Sequence, residues 1–239
     1  MLIGILEAES LPPPISRQFG SYADMFENTL KAADSRLRFN RYAVDKGQLP
    51  KSTRDCDAYL ITGSRHSAYE ELDWITALQD FIQACHHEKR KLVGICFGHQ
   101  IIAHALGGKV EKSSKGWGIG VATFSIAHAP IWLSKPTESF SILVTHQDQV
   151  IDLPPQAEQF ATNTFCNNGG YFISDFIFTL QGHPEFSKGY LRFLLEKRRA
   201  IFEPEHLKES LQAIDKYKQN TAPVDWLLEF FYYSEQPIF

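Results

Sequence analysis

The stretch Val93-Gly94-Ile95-Cys96-Phe97-Gly98-His99-Gln100 constrains the fold more than any other part of the chain. A buried-strand pattern, Lys91–Cys96, leads into it. An apolar helical pattern from Gln100 to Leu106 leads out and is terminated by Gly107-Gly108. A strand, a sharp turn and a helix with a cysteine at the turn make the cysteine version of a nucleophile elbow. Gly94 and Gly98 stand two residues to either side of Cys96, where Cβ atoms would collide as the chain reverses. The thiol is then expected at the sheet edge and at a helix N-terminus. Unpaired backbone N–H groups and the helix dipole favour an anion there.

The same alternation runs through the first half. Leu2–Leu6 reads as a strand, and Pro12–Pro14 is expected to force a loop. Tyr22, Met25, Phe26, Leu30 and Ala33 recur at helical spacing. Leu37–Val44 and Ala58–Thr62 read as strands. Leu72–His87 reads as a helix with Trp74, Leu78, Phe81, Ile82 and Cys85 on one face. This βαβα order predicts an α/β fold: an open, mostly parallel sheet flanked by helices, flavodoxin-like in kind. Active crevices of such sheets lie at the carboxyl ends of the strands. From Val121 to Leu180 the helical period gives way to strand-like runs, notably Val121–Ile126, Ser139–Val144 and Tyr171–Leu180. Helical patterns return at Ser187–Phe202 and Glu205–Tyr217, and the aromatic stretch Trp226–Tyr233 follows. Two parts are expected, a catalytic domain over 1–202 and a helical extension over 203–239 packed on it.

Two further segments carry chemistry. His183-Pro184-Glu185 follows the apolar run that ends at Leu180. A thiol nucleophile needs a base that takes its proton and later returns it to the leaving amine. The imidazole needs an acceptor that holds its tautomer and stabilises its charge. An extended backbone directs His183 and Glu185, two residues apart, to one side. In Thr62-Gly63-Ser64-Arg65-His66-Ser67 a strand ends in a polar loop. Acyl transfer requires donors aimed at the developing oxyanion. The amide of Phe97 and one at Gly63 or Ser64 fit that part.

In this order, loop donor, elbow and His-x-Glu pair resemble the class I, triad-type glutamine amidotransferases, especially small members similar to the amidotransferase domain of GMP synthase. The resemblance covers roughly residues 2 to 202. It implies that Cys96 attacks the side-chain amide of glutamine, giving a γ-glutamyl thioester and ammonia, and that water then releases glutamate. It assigns His183 as acid and base and Glu185 as its orienting partner. Gln100 matches the glutamine of the family's GxCxGxQ and is expected to bind the amino acid end of the substrate. Thr145-His146-Gln147-Asp148-Gln149-Val150 resembles the family's Ser-His-x-Asp-x-Val segment, which helps to hold glutamine. Thr145 stands where serine is usual, and Arg65 where proline is frequent.

Composition narrows the rest. With 239 residues, 44% hydrophobic and 22% charged, the chain suits a globular protein. A net charge of −4 gives no electrostatic case for nucleic acid. No apolar stretch approaches the roughly 20 residues that span a bilayer. Cysteines at 56, 85, 96 and 166 show no metal spacing, so neither a metal nor a cofactor is expected. A reducing cytoplasm is the expected compartment. Cys56, Cys85 and Cys166 read as inert core residues, as His99 and His104 read as packing or surface histidines and Trp117 as packing. No GxxxxGK[ST] loop is present, and segment 203–239 is too short for a synthetase domain. Three readings follow: a hydrolase of a γ-glutamyl amide, glutamine or γ-glutamyl peptide; a glutaminase supplying ammonia to a separate synthetase subunit; or a non-catalytic binding module. The helical spacing of Val224, Leu227, Leu228 and Phe231 suits packing on the chain's own domain, or a homodimer or synthetase interface.

Overall fold

Apolar runs become strands where turn residues stop them, and periodic stretches become helices. The computed structural model describes residues 1–234, so 235–239 of the expected extension lie outside the described residues. In chain order the elements are β1 (Leu2–Glu7), α1 (Pro13–Phe19), α2 (Tyr22–Ala33), β2 (Arg38–Ala43), β3 (Ala58–Ile61), α3 (Asp73–His87), β4 (Lys91–Ile95), α4 (Phe97–Ala105) and β5 (Lys109–Lys112). There follow β6 (Gly118–Ile126), β7 (Ser139–His146), β8 (Asp148–Asp152), β9 (Glu158–Thr162), β10 (Gly170–Ile173), β11 (Ile177–Leu180), α5 (Lys188–Lys197), α6 (Pro204–Lys216) and α7 (Ala222–Tyr232).

A nine-stranded sheet runs in the order β2-β1-β3-β4-β11-β10-β9-β6-β7. From β2 to β11 its strands are parallel, and from β11 to β7 they are antiparallel. The parallel half flanked by helices is the expected α/β architecture and carries the site. The antiparallel half accounts for the strand-like runs after Val121. Strands β5 and β8 form a separate antiparallel pair.

Alternate side chains of each parallel strand enter different cores, as the period of two requires. Ile3, Ile5, Leu60, Val93 and Ile95 face the layer holding α2 and α7, where Phe26, Leu30, Trp226 and Phe230 are buried. Leu6, Tyr59, Ile61 and Leu92 face α3 and α4. A third cluster packs Leu191, Leu194, Leu207 and Ile214 of α5 and α6 on Ile119 and Leu143. No helix of the described residues is long and apolar enough to cross a membrane.

Three local expectations are corrected. Pro12–Pro14 does not force a loop: Pro12 is the N-cap of α1 and the next two prolines occupy its first turn. Proline's missing N–H costs nothing there, and its fixed φ suits a helix start. Tyr171–Leu180 is not one strand but the hairpin β10–β11, turned at Ser174 with φ 51°. The helix after the elbow begins at Phe97, one residue past the nucleophile candidate.

The aromatic side chains of α7 belong to the chain's own core. The Trp226 ring lies 4.8 Å from that of Phe140, and the Phe230 ring 5.3 Å from that of Trp132. Trp226, Leu227, Phe230 and Phe231 are all buried. Burial of each contributes roughly 1.5–3 kcal/mol, so the helix is integral to the fold.

Candidate active site

Adjacent parallel strands deliver the site. In sheet order β1, β3, β4 and β11 end close to Glu9, Gly63, Cys96 and His183, respectively. Cys96 has φ 55° and ψ −102°, a conformation that costs on the order of 1–3 kcal/mol in a non-glycine residue. The surroundings impose it: the Cys96 amide donates to Leu180 O at 2.9 Å, and Cys96 O accepts the Gln100 amide at 3.1 Å. The flanking glycines provide clearance. A Cβ on Gly94 would lie 2.5 Å from Gly98 O, and one on Gly98 would lie 2.4 Å from Ile61 O. Cys96 is thereby set at the N-terminus of α4 with only 6% of its surface exposed.

His183 is fixed on three sides. Its amide donates to Leu143 O at 2.8 Å, and its ring Nδ1–H donates to Glu185 Oε1 at 2.8 Å. The Phe186 ring stacks on the imidazole at 3.8 Å between centroids, with 6° between planes. Both side chains of the His–Glu pair are almost wholly buried. Burial disfavours the imidazolium, but Glu185 and then Cys96 act in the other direction and raise the His183 pKa to about 10. Nε2 is buried without a hydrogen-bond partner among the described residues. Cys96 is near enough to act on the ring, but no hydrogen bond closes between the two. Catalytic contacts of this kind commonly tighten only around substrate.

The cavity over Cys96 has a volume of about 270 Å³. Ser64, Cys96, Gln100, Thr145, His146 and Gln147 all line it. A second space of about 20 Å³ continues from it past Gly63, Cys96 and His183. Gly63 packs directly on the pair, since a Cβ there would meet His183 Cε1 at 3.0 Å and Cys96 Cβ at 3.7 Å. Among the described residues the amides of Gly63, Ser64 and Phe97 have no backbone acceptor. Gln100 Nε2 donates to Asp148 O at 2.8 Å and to Gln181 Oε1 at 3.1 Å, which fixes the side chain at the cavity wall. His146 Nδ1–H donates to Asp148 O at 3.1 Å, and burial pushes its pKa down to about 4, so the ring is neutral. Thr145 Oγ1 is buried without a protein partner among the described residues. Gln147 O accepts the Ser113 amide at 3.0 Å and ties its loop to the segment after β5. Ser64, Cys96, Gln100, Thr145, His146 and Gln147 thus line the larger space and Gly63 and His183 the smaller one, with Glu185 behind His183 and Phe97 next to Cys96.

Other residues at the site escaped the sequence. Glu9 is buried after β1; its Oε2 accepts the Arg65 amide at 2.9 Å, and its Oε1 lies 3.6 Å from Arg65 Nε. It pins the loop that begins at Gly63, where arginine replaces the family's frequent proline. Arg198 lines both spaces, and Trp117 lines the larger one while its ring meets Phe202 edge-on at 5.4 Å. Glu9 and Arg198 have no local motif, because tertiary adjacency alone brings them to the site, whereas Trp117, expected to pack, does so on Phe202 and lines the cavity as well. His99, by contrast, is a core residue. It is wholly buried, bonded through Nδ1 to Thr179 Oγ1 at 2.8 Å, with its pKa lowered by burial to about 3.

Proteins of known family resemble this chain in sequence and in fold. The family model described as "Glutamine amidotransferase class-I" matches residues 18–197. Gamma-glutamyl peptidase 3 of Arabidopsis thaliana is 33% identical over 192 residues, covering 77% of this chain and 76% of that protein. Gamma-glutamyl peptidase 2 of the same plant is 30% identical over 227 residues, covering 91% and 90%. A solved glutamine amidotransferase from Thermotoga maritima superposes with a TM-score of 0.73 at 20% identity, over 96% of this chain and 95% of that one, which supports the fold. The chain belongs to the class-I glutamine amidotransferase family of enzymes.

Proposed function

We propose that this chain hydrolyses γ-glutamyl amides, glutamine or γ-glutamyl peptides, with Cys96 as nucleophile, His183 as acid and base, and Glu185 as the orienting carboxylate. The observation that carries the reading is the buried Cys96, His183 and Glu185 array beneath a cavity with unpaired backbone amides. The cavity approaches the roughly 300–1,000 Å³ of small-molecule sites. Two relatives are named gamma-glutamyl peptidases, which favours a γ-glutamyl acyl group.

The steps follow from the geometry. With Glu185 holding His183 protonated at neutral pH, the Cys96 proton rests on His183 Nε2, and the thiolate stands beside this imidazolium at the positive end of α4. The thiolate attacks the γ-carbonyl carbon, and the oxyanion takes donors from the Phe97 amide and the Gly63–Ser64 loop. The C–N bond breaks as His183 delivers its proton to the leaving amine, leaving a Cys96 thioester. Water attacks the thioester while His183 accepts its proton. The C–S bond then breaks, releasing glutamate and restoring the thiolate beside the imidazolium. Gln100 and the Thr145–Gln147 wall position the acyl portion.

Amine release from glutamine and a panel of γ-glutamyl dipeptides, with Cys96→Ala as control, tests this. Turnover that disappears in the variant supports the reading. Turnover that survives it, or none on any substrate, contradicts a self-sufficient γ-glutamyl hydrolase.

A further inference from the structure

Arg198 has no role in the steps above, yet it reaches both spaces beside Cys96. It caps the C-terminus of α5, where its amide donates to Leu194 O at 3.1 Å, and its side chain is half-buried. Among the described residues Arg36, Arg41, Arg54, Arg65 and Arg192 are matched to acids, and Arg17, Arg38, Arg90 and Arg199, which are not, line neither space. Among the described residues no carboxylate lies within 4.0 Å of Arg198. Glu9 lines the same small space, but both its oxygens are turned to Arg65. Tyr22 and Tyr190 lie nearby, their hydroxyls hydrogen-bonded to each other at 3.1 Å, and supply no charge. A guanidinium partly withdrawn from water at a cavity wall, with no protein anion, is matched when a ligand brings one.

Its position says which part of the ligand. His183 must protonate the leaving nitrogen, so the leaving portion lies on the His183 side of Cys96. Arg198 shares the small space with His183, whereas Gln100 and Asp148 line only the larger one. We propose that Arg198 reads a carboxylate on the amine portion of the substrate, making γ-glutamyl amino acids and peptides with an acidic leaving portion the preferred class. This rests on the γ-glutamyl hydrolase reading above and extends it to a specificity-determining residue.

The test compares kcat/KM for γ-glutamylglycine, its neutral counterpart γ-glutamylglycinamide, and glutamine, in wild type, Arg198→Met, Arg198→Lys and Lys112→Met. A charge-assisted contact of this kind predicts that Arg198→Met lowers the γ-glutamylglycine to γ-glutamylglycinamide ratio by about 10- to 100-fold, mainly through KM. Arg198→Lys should recover part of it, and Lys112→Met, at an exposed cation of the same cavity, should shift the ratio by less than about 3-fold. An unchanged ratio in Arg198→Met, an equal loss on all three substrates, or the effect appearing in Lys112→Met would each overturn the proposal. If wild type turns over none of them, the hydrolase reading fails separately. Calorimetric binding of the same two dipeptides to Cys96→Ala, with and without Arg198→Met, then decides. Selectivity for the carboxylate that is lost with Arg198 supports the assignment, and its absence refutes it.

Discussion

Gly98→Ala is the sharpest test of how the fold builds the site. The added Cβ would stand 2.4 Å from Ile61 O and 2.9 Å from Ile61 Cβ. Both contacts are short of the roughly 3.5 Å optimum, the first by about 1 Å. Neither neighbour is a flexible side-chain end; both belong to the buried strand β3. The N-terminus of α4 must therefore lift from the sheet by up to about 1 Å. Overpacking of this kind destabilises by roughly 1–3 kcal/mol or more. The same displacement moves Cys96 and the Phe97 amide, which directly precede Gly98. A misplacement of about 1 Å at a reacting group costs on the order of 10²-fold in rate.

Urea unfolding, together with the rate at which iodoacetamide alkylates Cys96, measures both effects without presuming a substrate. Gly189→Ala is the control, because the nearest atom to its new Cβ is Ser187 Oγ at an ordinary 3.9 Å. It should be neutral or stabilise helix α5 by up to about 1 kcal/mol. If Gly98→Ala stays within about 0.5 kcal/mol of wild type and alkylates normally, the clearance argument for the elbow is wrong.

Further outcomes follow from the His183 environment. Glu185→Gln removes the largest influence holding the imidazolium against burial, so turnover at neutral pH should fall by about 10²- to 10³-fold, short of the roughly 10⁴-fold or more expected for His183→Ala; wild-type rates in Glu185→Gln would make Glu185 structural. Phe186→Leu removes the ring stacked on the imidazole and should lower kcat by several-fold with KM little changed, an effect that a equal loss of KM and kcat across substrates would contradict. Folding raises the His183 pKa from its ordinary value near 6.5 to about 10, so its stabilising contribution is complete below about pH 6.5 and is lost as pH rises through about 10. The difference in unfolding free energy between wild type and His183→Gln should therefore shrink across that window, and parallel curves would refute the shift.

Much of this was legible because it is written in local sterics. The glycines beside Cys96 signal close backbone approach, and the structure shows which backbone approaches: Gly98 for Gly94, and Ile61 for Gly98. The spacing of His183 and Glu185 encodes their contact, since an extended two-residue step brings the ring to the carboxylate. Proline misled at Pro12–Pro14 because the property that breaks a helix interior suits its first turn. The β10–β11 turn was hidden because it carries no glycine, proline or asparagine; Ser174 adopts positive φ instead. Glu9, Phe186 and Arg198 carried no signal, since their importance arises from neighbours far away in sequence. The aromatic spacing of α7 was visible, but only the packing of Trp226 and Phe230 showed that its partners lie within the chain.

The central claim is that one cysteine of the four is a nucleophile served by His183 and Glu185. Cys85 and Cys166 are buried with their thiols pushed up to about 12, and burial also raises Cys56. The most direct measurement is peptide mass spectrometry after reaction with a chloroketone analogue of glutamine, in wild type and His183→Ala. The account predicts a saturable label on Cys96 alone, slowed by excess glutamate and strongly slowed in His183→Ala. Label on another cysteine, or on Cys96 at the same rate without His183, would contradict it.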